Sequence, residues 1–558
     1  MRKNRFLILA LIITILGFLL RLWYLGSTPP SLTWDEAAWG YNAYSILKTG
    51  RDEYGKFLPL ILKSFGDYKP ALYVYLLAAS EAIFGLNEFA VRLPSALFGS
   101  LGIFLLYLVV KELFTDFKGK EIVALTSSFV LATSPWHYHF SHGGWEANVL
   151  VTTLLSGIWL FLKADNKRPR FLYFSALSFG LSFYLYQGAK MLVPIITFGL
   201  LLFFWKEIKK MPKKTLVISF IILVLMALPI YLSVFFGGAG GRLKVMSVFS
   251  YPRSTEEAET IAKEGETTPQ SLEFQVFHGS LNYYARGILG RYFSHFSGRF
   301  LFFEGDWTNQ RHSASNAGVL NRLSILFLPI GAYFLVKEKI RRQAFLWYLL
   351  LLGPLPAAFT RDIIQAHRTL FMIIPLTILT AFGIYGFALL IKKWPLFLRL
   401  GVGGGVIMGW FFFFFIYLDQ FFVHAPIADS AEWLYGYREA VEFIGEKTND
   451  YDQVIFTQRY GQSYIYYLFY TAYEPSQYQP QAKLVEHPEG DVGRIERIDN
   501  IEFRDIYWPE DRDTKNTLFI GGPYEIPLQD ITEEESRVLK EINYLNGELA
   551  FRIVETVK

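Results

Sequence analysis

The sequence FLILALIITILGFLLRLWY, residues 6–24, is an apolar run that contains a single charged residue, Arg21. A helix needs about 20 such residues to cross the hydrocarbon core of a bilayer. The run follows a basic start at Arg2, Lys3 and Arg5, and no small-residue cleavage site follows it. This pattern predicts a retained membrane anchor and argues against a signal peptide that is removed.

The composition extends this prediction to the whole chain. Hydrophobic residues make up 52% of the 558 residues and charged residues only 19%. The apolar residues gather in long runs, which is typical of a membrane protein with several spans. Cysteine is absent, which excludes disulfides, thiolate metal sites and a cysteine nucleophile.

Hydropathy predicts about eleven spanning helices. The apolar segment 71–84 is short and carries Glu81, so we interpret it as an interfacial or half-buried helix and not as a span. The predicted spans are residues 6–25, 92–112, 121–140, 146–163, 171–187, 189–205, 215–235, 320–337, 343–360, 367–391 and 398–422.

Charge gives the expected orientation of these spans. Loops that are rich in Lys and Arg mark the cytoplasmic side of a membrane protein. With eleven spans, every basic loop falls on the side of the N-terminus, and counting segment 71–84 as a span would destroy this agreement. We therefore predict a multi-pass protein of the cell membrane with a cytoplasmic N-terminus and an extracytoplasmic C-terminal region. The basic loops are residues 111–120, 163–170, 206–214, 337–342 and 392–399.

The predicted membrane domain covers residues 1–423 and has two large outer loops, residues 26–91 and 236–319. Residues 424–558 are different in composition, since they hold twice as many acidic as basic side chains, 26 against 13. The basic residues of the membrane domain lie in short clusters between apolar runs. They therefore predict membrane topology and contact with lipids, and no binding of nucleic acid.

The acidic region has the pattern of a small soluble α/β domain. The predicted fold class is thus mainly α, a polytopic membrane protein with an extracytoplasmic α/β domain at its C-terminal end. Short β-rich runs are residues 453–456 and 517–520, and helical patterns are residues 430–444 and 532–545.

Ionisable residues stand close to the membrane in the first outer loop. Trp34-Asp35-Glu36 follow the first span, and Tyr68-Lys69-Pro70 come later in the same loop. The two acids could only cap the next helix, because acids favour the first turn of helices. They could also perform chemistry, because ionisable groups near hydrocarbon are costly and tend to be paired or functional. A carboxylate can take a proton from a hydroxyl, and a cation can neutralise a leaving phosphate.

The order of these residues resembles a known superfamily. Asp35-Glu36, then Tyr68-Lys69-Pro70-Ala71-Leu72-Tyr73, then Ala90-Val91-Arg92-Leu93-Pro94 are similar to the polytopic lipid-carrier glycosyltransferases of the GT-C type. These include the protein O-mannosyltransferases and the aminoarabinose-lipid A transferases. Residues 134–148 and 367–375 are similar too, and the resemblance covers about the first 420 residues.

The resemblance implies a membrane glycosyltransferase that moves a sugar from a polyprenyl-phosphate donor to an acceptor hydroxyl on the outer face, with inversion. It implies that Asp35 is the general base, that Glu36 assists or orients it, and that Lys69 binds the carrier phosphate. The related transferases commonly show Lys-Pro-Pro, and Ala71 replaces the second proline here. The donor is a lipid-linked sugar, so no nucleotide cofactor is expected. The acceptor could be protein, lipid or polysaccharide.

Further candidates follow from the same resemblance. Glu146 takes the place of a second acid, and three residues near the last outer loop are candidates for additional phosphate contacts: Arg361, His367 and Arg368. Additional site candidates are Trp34, Arg92 and His142. Lys69 and Arg92 could instead anchor the chain at the lipid surface. His137, His139 and His142 are compatible with a divalent metal, although none is expected because no helical His-x-x-x-His pair meets a convergent acid.

Three other functions share parts of this pattern. An oligosaccharyltransferase or ligase would use a glycan on a lipid pyrophosphate. A secondary transporter would also have many spans, but two similar halves and midplane charges are not evident. A receptor or scaffold would depend on its C-terminal region and tolerate Asp35→Asn.

Overall fold

The computed structural model describes residues 2–236, 241–486, 492–532 and 535–556. The first half of the chain is almost entirely helical, apart from one hairpin made of β1 (Ile61–Ser64) and β2 (Asp67–Pro70). Its helices are α1 (Arg2–Leu22), α2 (Trp34–Thr49), α3 (Leu72–Phe84), α4 (Glu88–Leu113), α5 (Lys120–Ala132), α6 (Pro135–His142), α7 (Glu146–Lys163), α8 (Arg170–Ser182), α9 (Ala189–Phe203), α10 (Trp205–Ile208) and α11 (Lys213–Phe236).

The second half of the membrane domain continues with short helices in the long loop of residues 236–319 and then with apolar helices. Residues 237–240 of that loop lie outside the described residues. The helices are α12 (Gly241–Met246), α13 (Thr255–Glu264), α14 (Leu272–His278), α15 (Ser280–Ser294), α16 (Ser324–Lys337), α17 (Gln343–Leu352), α18 (Leu355–Ala358), α19 (Ile373–Ile391), α20 (Leu396–Asp419) and α21 (Ala425–Ala428).

Six segments of the described chain are long and apolar enough to cross a membrane, so the protein is a multi-pass membrane protein. Three of them have most of their surface exposed, as expected of helices that face lipid, and the other three are about two-thirds buried at the centre of the bundle. The exposed segments are Arg5–Leu22, Lys213–Phe236 and Leu396–Ala428, and the buried segments are Glu88–Leu113, Glu146–Lys163 and Leu370–Ile391.

Each of the eleven predicted spans contains a helix, but several helices are short. The helices α5, α8, α9, α16 and α17 have only 10 to 15 residues. The predicted span 121–140 is wrong as a single helix, because α5 ends at Ala132 and α6 begins at Pro135. Ser134 has an extended backbone (φ −76°, ψ 127°), since the residue before a proline avoids the helical region. The segment predicted as an interfacial helix is α3.

A six-stranded mixed sheet forms the C-terminal domain, and its order is β6-β7-β3-β8-β10-β9. The central strand β3 is parallel to β7 and β8, and the other neighbours are antiparallel. The helices are α22 (Tyr437–Lys447), α23 (Ser463–Tyr470), α24 (Pro475–Tyr478) and α25 (Trp508–Asp511), and the strands are β3 (Gln453–Phe456), β4 (Leu484–Val485), β5 (Arg494–Ile495), β6 (Arg497–Ile498), β7 (Ile501–Phe503), β8 (Thr517–Gly521), β9 (Ser536–Asn543) and β10 (Leu549–Thr556).

The two predicted strands of this domain are present as β3 and β8. The helix predicted at 430–444 begins later, at Tyr437. The helix predicted at 532–545 is wrong, because Ser536–Asn543 is a strand that pairs with β10. Good helix formers such as Leu539 and Lys540 therefore yield to the tertiary pairing, which overrides a weak local preference. Residues 533–534, part of that prediction, lie outside the described residues.

One continuous cluster of buried hydrophobic residues joins the membrane helices to the C-terminal sheet through α2. On one side of α2, Gly40 lies so close to Phe469 of α23 that an added Cβ would be 2.5 Å from the ring. Tyr41 donates a hydrogen bond to the Tyr473 carbonyl at 3.0 Å. The loop of residues 26–91 therefore lies between the bundle and the C-terminal domain, and both position it.

Candidate active site

The sequence Thr33-Trp34-Asp35-Glu36 starts helix α2 with a capping box. The Glu36 amide donates to the Thr33 hydroxyl at 3.2 Å, and the Thr33 amide donates to Glu36 Oε2 at 2.9 Å. This arrangement satisfies two backbone N–H groups that have no partner within the helix. Asp35 lies in the same first turn, where the helix dipole favours a carboxylate, and its side chain is 35% exposed. The capping interpretation thus applies to Glu36, while the Asp35 side chain pairs with Lys69.

Glu36 is also half of a buried ion pair. Arg92 of α4 donates from Nε to Glu36 Oε1 at 3.1 Å, and the Gly144 amide donates to the same oxygen at 2.8 Å. The side chains of Arg92 and Glu36 are 0% and 1% exposed. The two Nη atoms of Arg92 donate to backbone carbonyls of the first loop, Leu25, Pro29 and Ser31. Arg92 is therefore enclosed by protein. Its pair with Glu36 fixes the start of α2 and, with it, the position of Asp35.

Lys69 lies on a hairpin made of β1 (Ile61–Ser64) and β2 (Asp67–Pro70). Phe65 and Gly66 form its turn with φ values of 54° and 85°, as a type I′ turn requires. The Lys69 ammonium donates to Asp35 Oδ1, and it lies 5.8 Å and 5.3 Å from the ring centres of Trp39 and Phe65. The hairpin therefore places the predicted cation directly on the predicted base.

The alanine that replaces the second proline of the related motif has a structural explanation. The Ala71 amide donates to the Leu60 carbonyl at 3.2 Å and so ties the end of the hairpin back to its start. A proline at position 71 has no N–H and could not make this bond. Alanine in place of the second proline thus allows this backbone hydrogen bond, and Lys69 of the adjoining strand reaches Asp35.

Glu146 begins helix α7 next to this pair. It is close enough to Asp35 and Lys69 for their charges to interact with its carboxylate. Its Oε2 atom is buried and has no hydrogen-bond partner among the residues that the structure describes. A buried acceptor without a partner is costly, and such a group points to a donor that is supplied by a ligand.

A cluster of aromatic rings lies beside Glu146. His367 stacks on Phe140 with the planes 8° apart and the centres at 5.5 Å. Trp145 and Tyr186 approach the same imidazole at 5.1 Å and 4.7 Å. His312 completes the cluster, 5.6 Å from His367. Phe140, Trp145 and Tyr186 are all buried, so the cluster is a closely packed wall beside Glu146 that holds the His367 ring in place.

The structure places the other predicted residues in different surroundings. Arg368 pairs with Asp362 and donates to the Thr360 hydroxyl, and Arg361 donates to the Tyr251 hydroxyl at 2.7 Å. His142 is buried among rings that include Tyr138 and Phe421. The Arg311 guanidinium lies over Trp34, 4.8 Å from the centre of the indole ring. In the described part of the chain, no three His, Cys, Asp or Glu side chains converge as metal ligands.

The C-terminal domain contributes contacts that sequence reasoning missed. Gly461 packs against Trp34 so closely that a Cβ atom would be 2.9 Å from the indole, and its φ of 108° also disfavours other residues. Tyr466 donates to the Leu32 carbonyl at 2.9 Å. The tyrosine-rich stretch 464–470 was the available signal, but its partner more than 400 residues away could not be inferred from it.

Glu53 is a second point of contact between the first loop and the C-terminal domain. Its Oε1 accepts from Asn42 at 3.0 Å, and its Oε2 accepts from the Tyr464 hydroxyl at 3.3 Å. Burial raises the pKa of Glu53 from its ordinary 4.5 to about 8, and the neighbouring Asp52 adds to this rise. Asn42, Tyr464 and Lys69 oppose the rise only in part.

This raised pKa predicts a pH-dependent stability. Between pH 4.5 and about 8, folded Glu53 holds a proton that the unfolded chain has lost. Its contribution to stability is therefore complete below pH 4.5, declines as the pH rises and levels off above about pH 8. We expect Glu53→Gln, which keeps both partners, to melt at a higher temperature than the wild type at pH 8, with a smaller difference near pH 5. The control is Glu442→Gln, an exposed carboxylate, for which the difference in Tm should not change with pH.

Comparison with known proteins bears on the fold and the family. Residues 68–231 match a family described as dolichyl-phosphate-mannose-protein mannosyltransferase. No curated protein sequence gives a significant match. The structure of ArnT from Cupriavidus metallidurans in the apo state has a TM-score of 0.56 and 12% identity, covering 100% of this chain and 98% of that one.

A second ArnT structure from the same organism, bound to undecaprenyl phosphate, has a TM-score of 0.55 and 12% identity, covering 98% of this chain and 97% of that one. At this identity the likeness concerns the fold. Together with the family match, it confirms the relationship to the polytopic lipid-carrier glycosyltransferases and the enzyme class that the sequence predicted. The transporter and scaffold alternatives are thereby set aside.

Proposed function

We propose that the protein transfers a sugar from a polyprenyl-phosphate donor to an acceptor hydroxyl at the outer face of the membrane. The observation that carries this proposal is the direct contact between the Asp35 carboxylate and the Lys69 ammonium, on the loop that follows the first span. A base and a phosphate-binding cation are the two groups that this reaction requires, and they lie side by side. The family match and the solved structure with undecaprenyl phosphate support the choice of donor.

The proposed chemistry is a single displacement. Asp35 takes the proton of the acceptor hydroxyl, whose oxygen attacks the anomeric carbon of the sugar. The bond between that carbon and the phosphate oxygen breaks, and the polyprenyl phosphate leaves with the electron pair. Lys69 stabilises the negative charge that develops on the leaving phosphate. One displacement inverts the anomeric configuration, because the nucleophile enters opposite the leaving group.

The ion pair itself suggests how donor binding activates the base. A carboxylate that accepts from an ammonium is a weak proton acceptor, because the opposite charge favours its ionised form. When the donor phosphate binds Lys69, it competes with Asp35 for the ammonium. The carboxylate then loses part of this stabilisation and becomes more basic at the moment when the acceptor has to be deprotonated.

We assign supporting roles to the surrounding residues. Glu36 and Arg92 hold the start of α2 and are positioning residues, since each already makes several contacts within the protein. Glu146 accepts a hydrogen bond from a hydroxyl of the bound sugar, and His367 and Trp145 form its aromatic surroundings. Arg361 and Arg368 contact the phosphate only after leaving their present partners. His142 supports the core around α6.

The orientation of the protein is part of the proposal. The basic loops predict a cytoplasmic N-terminus, which places the Asp35 loop and the C-terminal domain outside. There the activated sugar has to arrive on a lipid, because nucleotide sugars are made inside the cell. The acceptor is a protein, a lipid or a polysaccharide that is exposed on the same side.

The deciding experiment is reconstitution of the full chain in liposomes with labelled sugars on polyprenyl monophosphate or on polyprenyl pyrophosphate. We expect transfer from the monophosphate donor and inversion of the anomeric configuration in the product. Transfer only from the pyrophosphate donor would instead favour an oligosaccharyltransferase-like or ligase-like enzyme. Retention of configuration would contradict the direct displacement.

Replacing Lys69 by methionine should weaken donor binding. Methionine keeps most of the length of the side chain but removes a charged hydrogen bond, which contributes about 1.5–3 kcal/mol. We therefore expect the KM for the donor to rise by about 10- to 100-fold. The matched control is Lys63→Met on the same hairpin, where the lysine pairs with the exposed Glu486 instead. An unchanged donor KM in the Lys69 variant would contradict its assignment to the phosphate.

A further inference from the structure

A second cation stands next to the proposed base, in the loop of residues 236–319. The Arg311 guanidinium lies over the indole of Trp34, 4.8 Å from the ring centre, and Trp34 directly precedes Asp35. Asn309 Oδ1 accepts a hydrogen bond from Arg311 Nε at 3.3 Å. Within the described ranges of the chain, no carboxylate pairs with this guanidinium and its two Nη groups have no hydrogen-bond partner. The outer edge of a fixed cation is therefore left open.

Another arginine of the same loop shows what this arrangement lacks. Arg299 lies over the ring of Trp307 at 4.1 Å, much as Arg311 lies over Trp34. Its guanidinium also pairs with the Glu304 carboxylate, with N–O distances of 2.7 and 2.6 Å. The pair of Arg311 and Trp34 has the same stacking without the carboxylate. Two parallel N–H groups of a guanidinium match a phosphate or a carboxylate, so the partner that would complete this site is an oxyanion.

The protein holds Arg311 in place without a ligand. Its backbone amide donates to Asn309 Oδ1 at 3.1 Å, and its carbonyl accepts from His139 Nε2 of α6 at 2.8 Å. The next residue, His312, donates from Nδ1 to the buried Asp306 carboxylate at 3.1 Å. An arginine that is already ordered loses little side-chain freedom when it binds, and this favours affinity.

The site lies at the surface and needs no enclosed cavity. Trp34, Asp35 and Arg311 are each partly exposed. The oxyanion of a larger molecule can therefore reach the guanidinium from solvent, while the rest of that molecule lies along the surface of the protein. A hydroxyl of the same molecule would then be close to the carboxylate of Asp35, since Asp35 and the residue under the guanidinium are neighbours in the chain.

The side on which Arg311 lies favours the acceptor over the donor. Consecutive residues of a helix point about 100° apart, so Trp34 and Asp35 face different directions at the start of α2. Lys69, which the proposed function gives to the donor phosphate, lies near Trp39, one turn beyond Asp35 on the same face. In a single displacement, the acceptor oxygen enters opposite the leaving phosphate. The cation on the other face therefore suits a negative charge of the acceptor.

We propose that Arg311 binds an oxyanion of the acceptor, a phosphate or a carboxylate, and thereby brings an acceptor hydroxyl to Asp35. The inference rests on the proposed function, and it names the acceptor class as a hydroxyl compound that carries a negative charge. Arg311 is then the acceptor-binding cation, and Lys69 is the donor-binding cation.

The test compares three small hydroxyl compounds that differ in charge: glycerol, glycerate and glycerol 1-phosphate. The full chain in phosphatidylcholine liposomes receives saturating labelled polyprenyl-phosphate sugar with each of them, which gives KM. Saturation-transfer NMR without donor gives Kd. We expect KM and Kd to be about 10- to 100-fold lower for at least one anionic compound than for glycerol, which is the contribution of a charged hydrogen bond. The tighter of the two anionic compounds identifies the oxyanion as carboxylate or phosphate.

Arg311→Met removes the charge and keeps an apolar side chain of similar length. It should abolish the preference for the anionic compound and leave the KM for glycerol and for the donor unchanged, while Arg311→Lys should keep part of the preference. Arg299→Met is the matched control, because it removes a stacked arginine that already pairs with Glu304, and it should keep the full preference. Lys69→Met should keep the preference as well, which separates this site from the one for the donor phosphate.

Equal Kd values of the three compounds for the wild type, or an anion preference that survives in Arg311→Met, would overturn the inference. A higher donor KM in Arg311→Met with unchanged acceptor KM would also overturn it, because Arg311 would then contact the donor phosphate. If the wild type consumed no donor, the proposed function would fail, and the Kd values would decide the oxyanion site separately. The same Kd values decide it if donor is consumed but none of the three compounds receives sugar.

Discussion

Asp35→Asn should lower kcat for sugar transfer by about 100- to 10,000-fold, the range that a positioned general base contributes. The amide has almost the same shape as the carboxylate and still accepts from Lys69, but it cannot take the proton of the acceptor hydroxyl. Donor binding should be retained, because the Lys69 ammonium stays in place and no longer has an ionised competitor for it. The measurement is kcat and donor KM with labelled polyprenyl-phosphate sugar in liposomes.

The control for this variant is Glu88→Gln. Glu88 is also a carboxylate in the first turn of a helix, and it pairs at 3.3 Å with Arg438, whose side chain is exposed. Any general effect of removing a charge from the start of a helix should appear there as well, and we expect it to change kcat less than about 2-fold, as exposed pairs contribute little. If Asp35→Asn had the same kcat as Glu88→Gln, the assignment of Asp35 as the general base would be wrong.

The second large effect concerns stability. Arg92→Met leaves Glu36 as a buried carboxylate without its cation, and the Pro29 and Ser31 carbonyls without their donor. Breaking a buried ion pair from one side destabilises a protein by about 3–5 kcal/mol. We expect a large decrease in Tm in detergent and loss of transfer, because the start of α2 is no longer fixed.

A double variant separates positioning from chemistry. Glu36→Gln in addition to Arg92→Met removes the unpaired charge and should recover part of the Tm. Arg438→Met, which breaks an exposed pair, should cost less than about 1 kcal/mol. If Arg92→Met melted like Arg438→Met but lost the binding of donor, Arg92 would be a ligand-binding residue and not a positioning one.

Local sequence predicted the parts of this protein that depend on local chemistry. The run 6–24 predicted α1, and Asp35 and Lys69 were identified from a motif whose two halves the structure brings together. The split of span 121–140 was visible in principle at Pro135, since a proline ends the preceding helix. The strand Ser536–Asn543 could not be predicted in this way, because its residues favour a helix and only their pairing with β10 makes them a strand.

The surroundings of the site could not be predicted for a different reason. Glu36 has the sequence signature of a capping box, but its pairing with Arg92 joins residues 56 positions apart. The ring cluster around His367 combines Phe140, Trp145, Tyr186 and His312, from separate stretches of the chain. Such contacts are set by the packing of helices in three dimensions, and one sequence contains no direct record of them.

The contact of Tyr466 with Leu32 joins residues 434 positions apart in the chain, and that of Tyr41 with Tyr473 joins residues 432 apart. Because synthesis runs from the N-terminal to the C-terminal side, the ribosome completes the Asp35 loop more than 400 residues before the residues that pack against it. The loop lacks these neighbours while the intervening residues are made. A nascent chain released before Tyr466 and Tyr473 would carry the motif but lack the contacts that hold it, so we expect the proposed activity to require this later stretch of the chain.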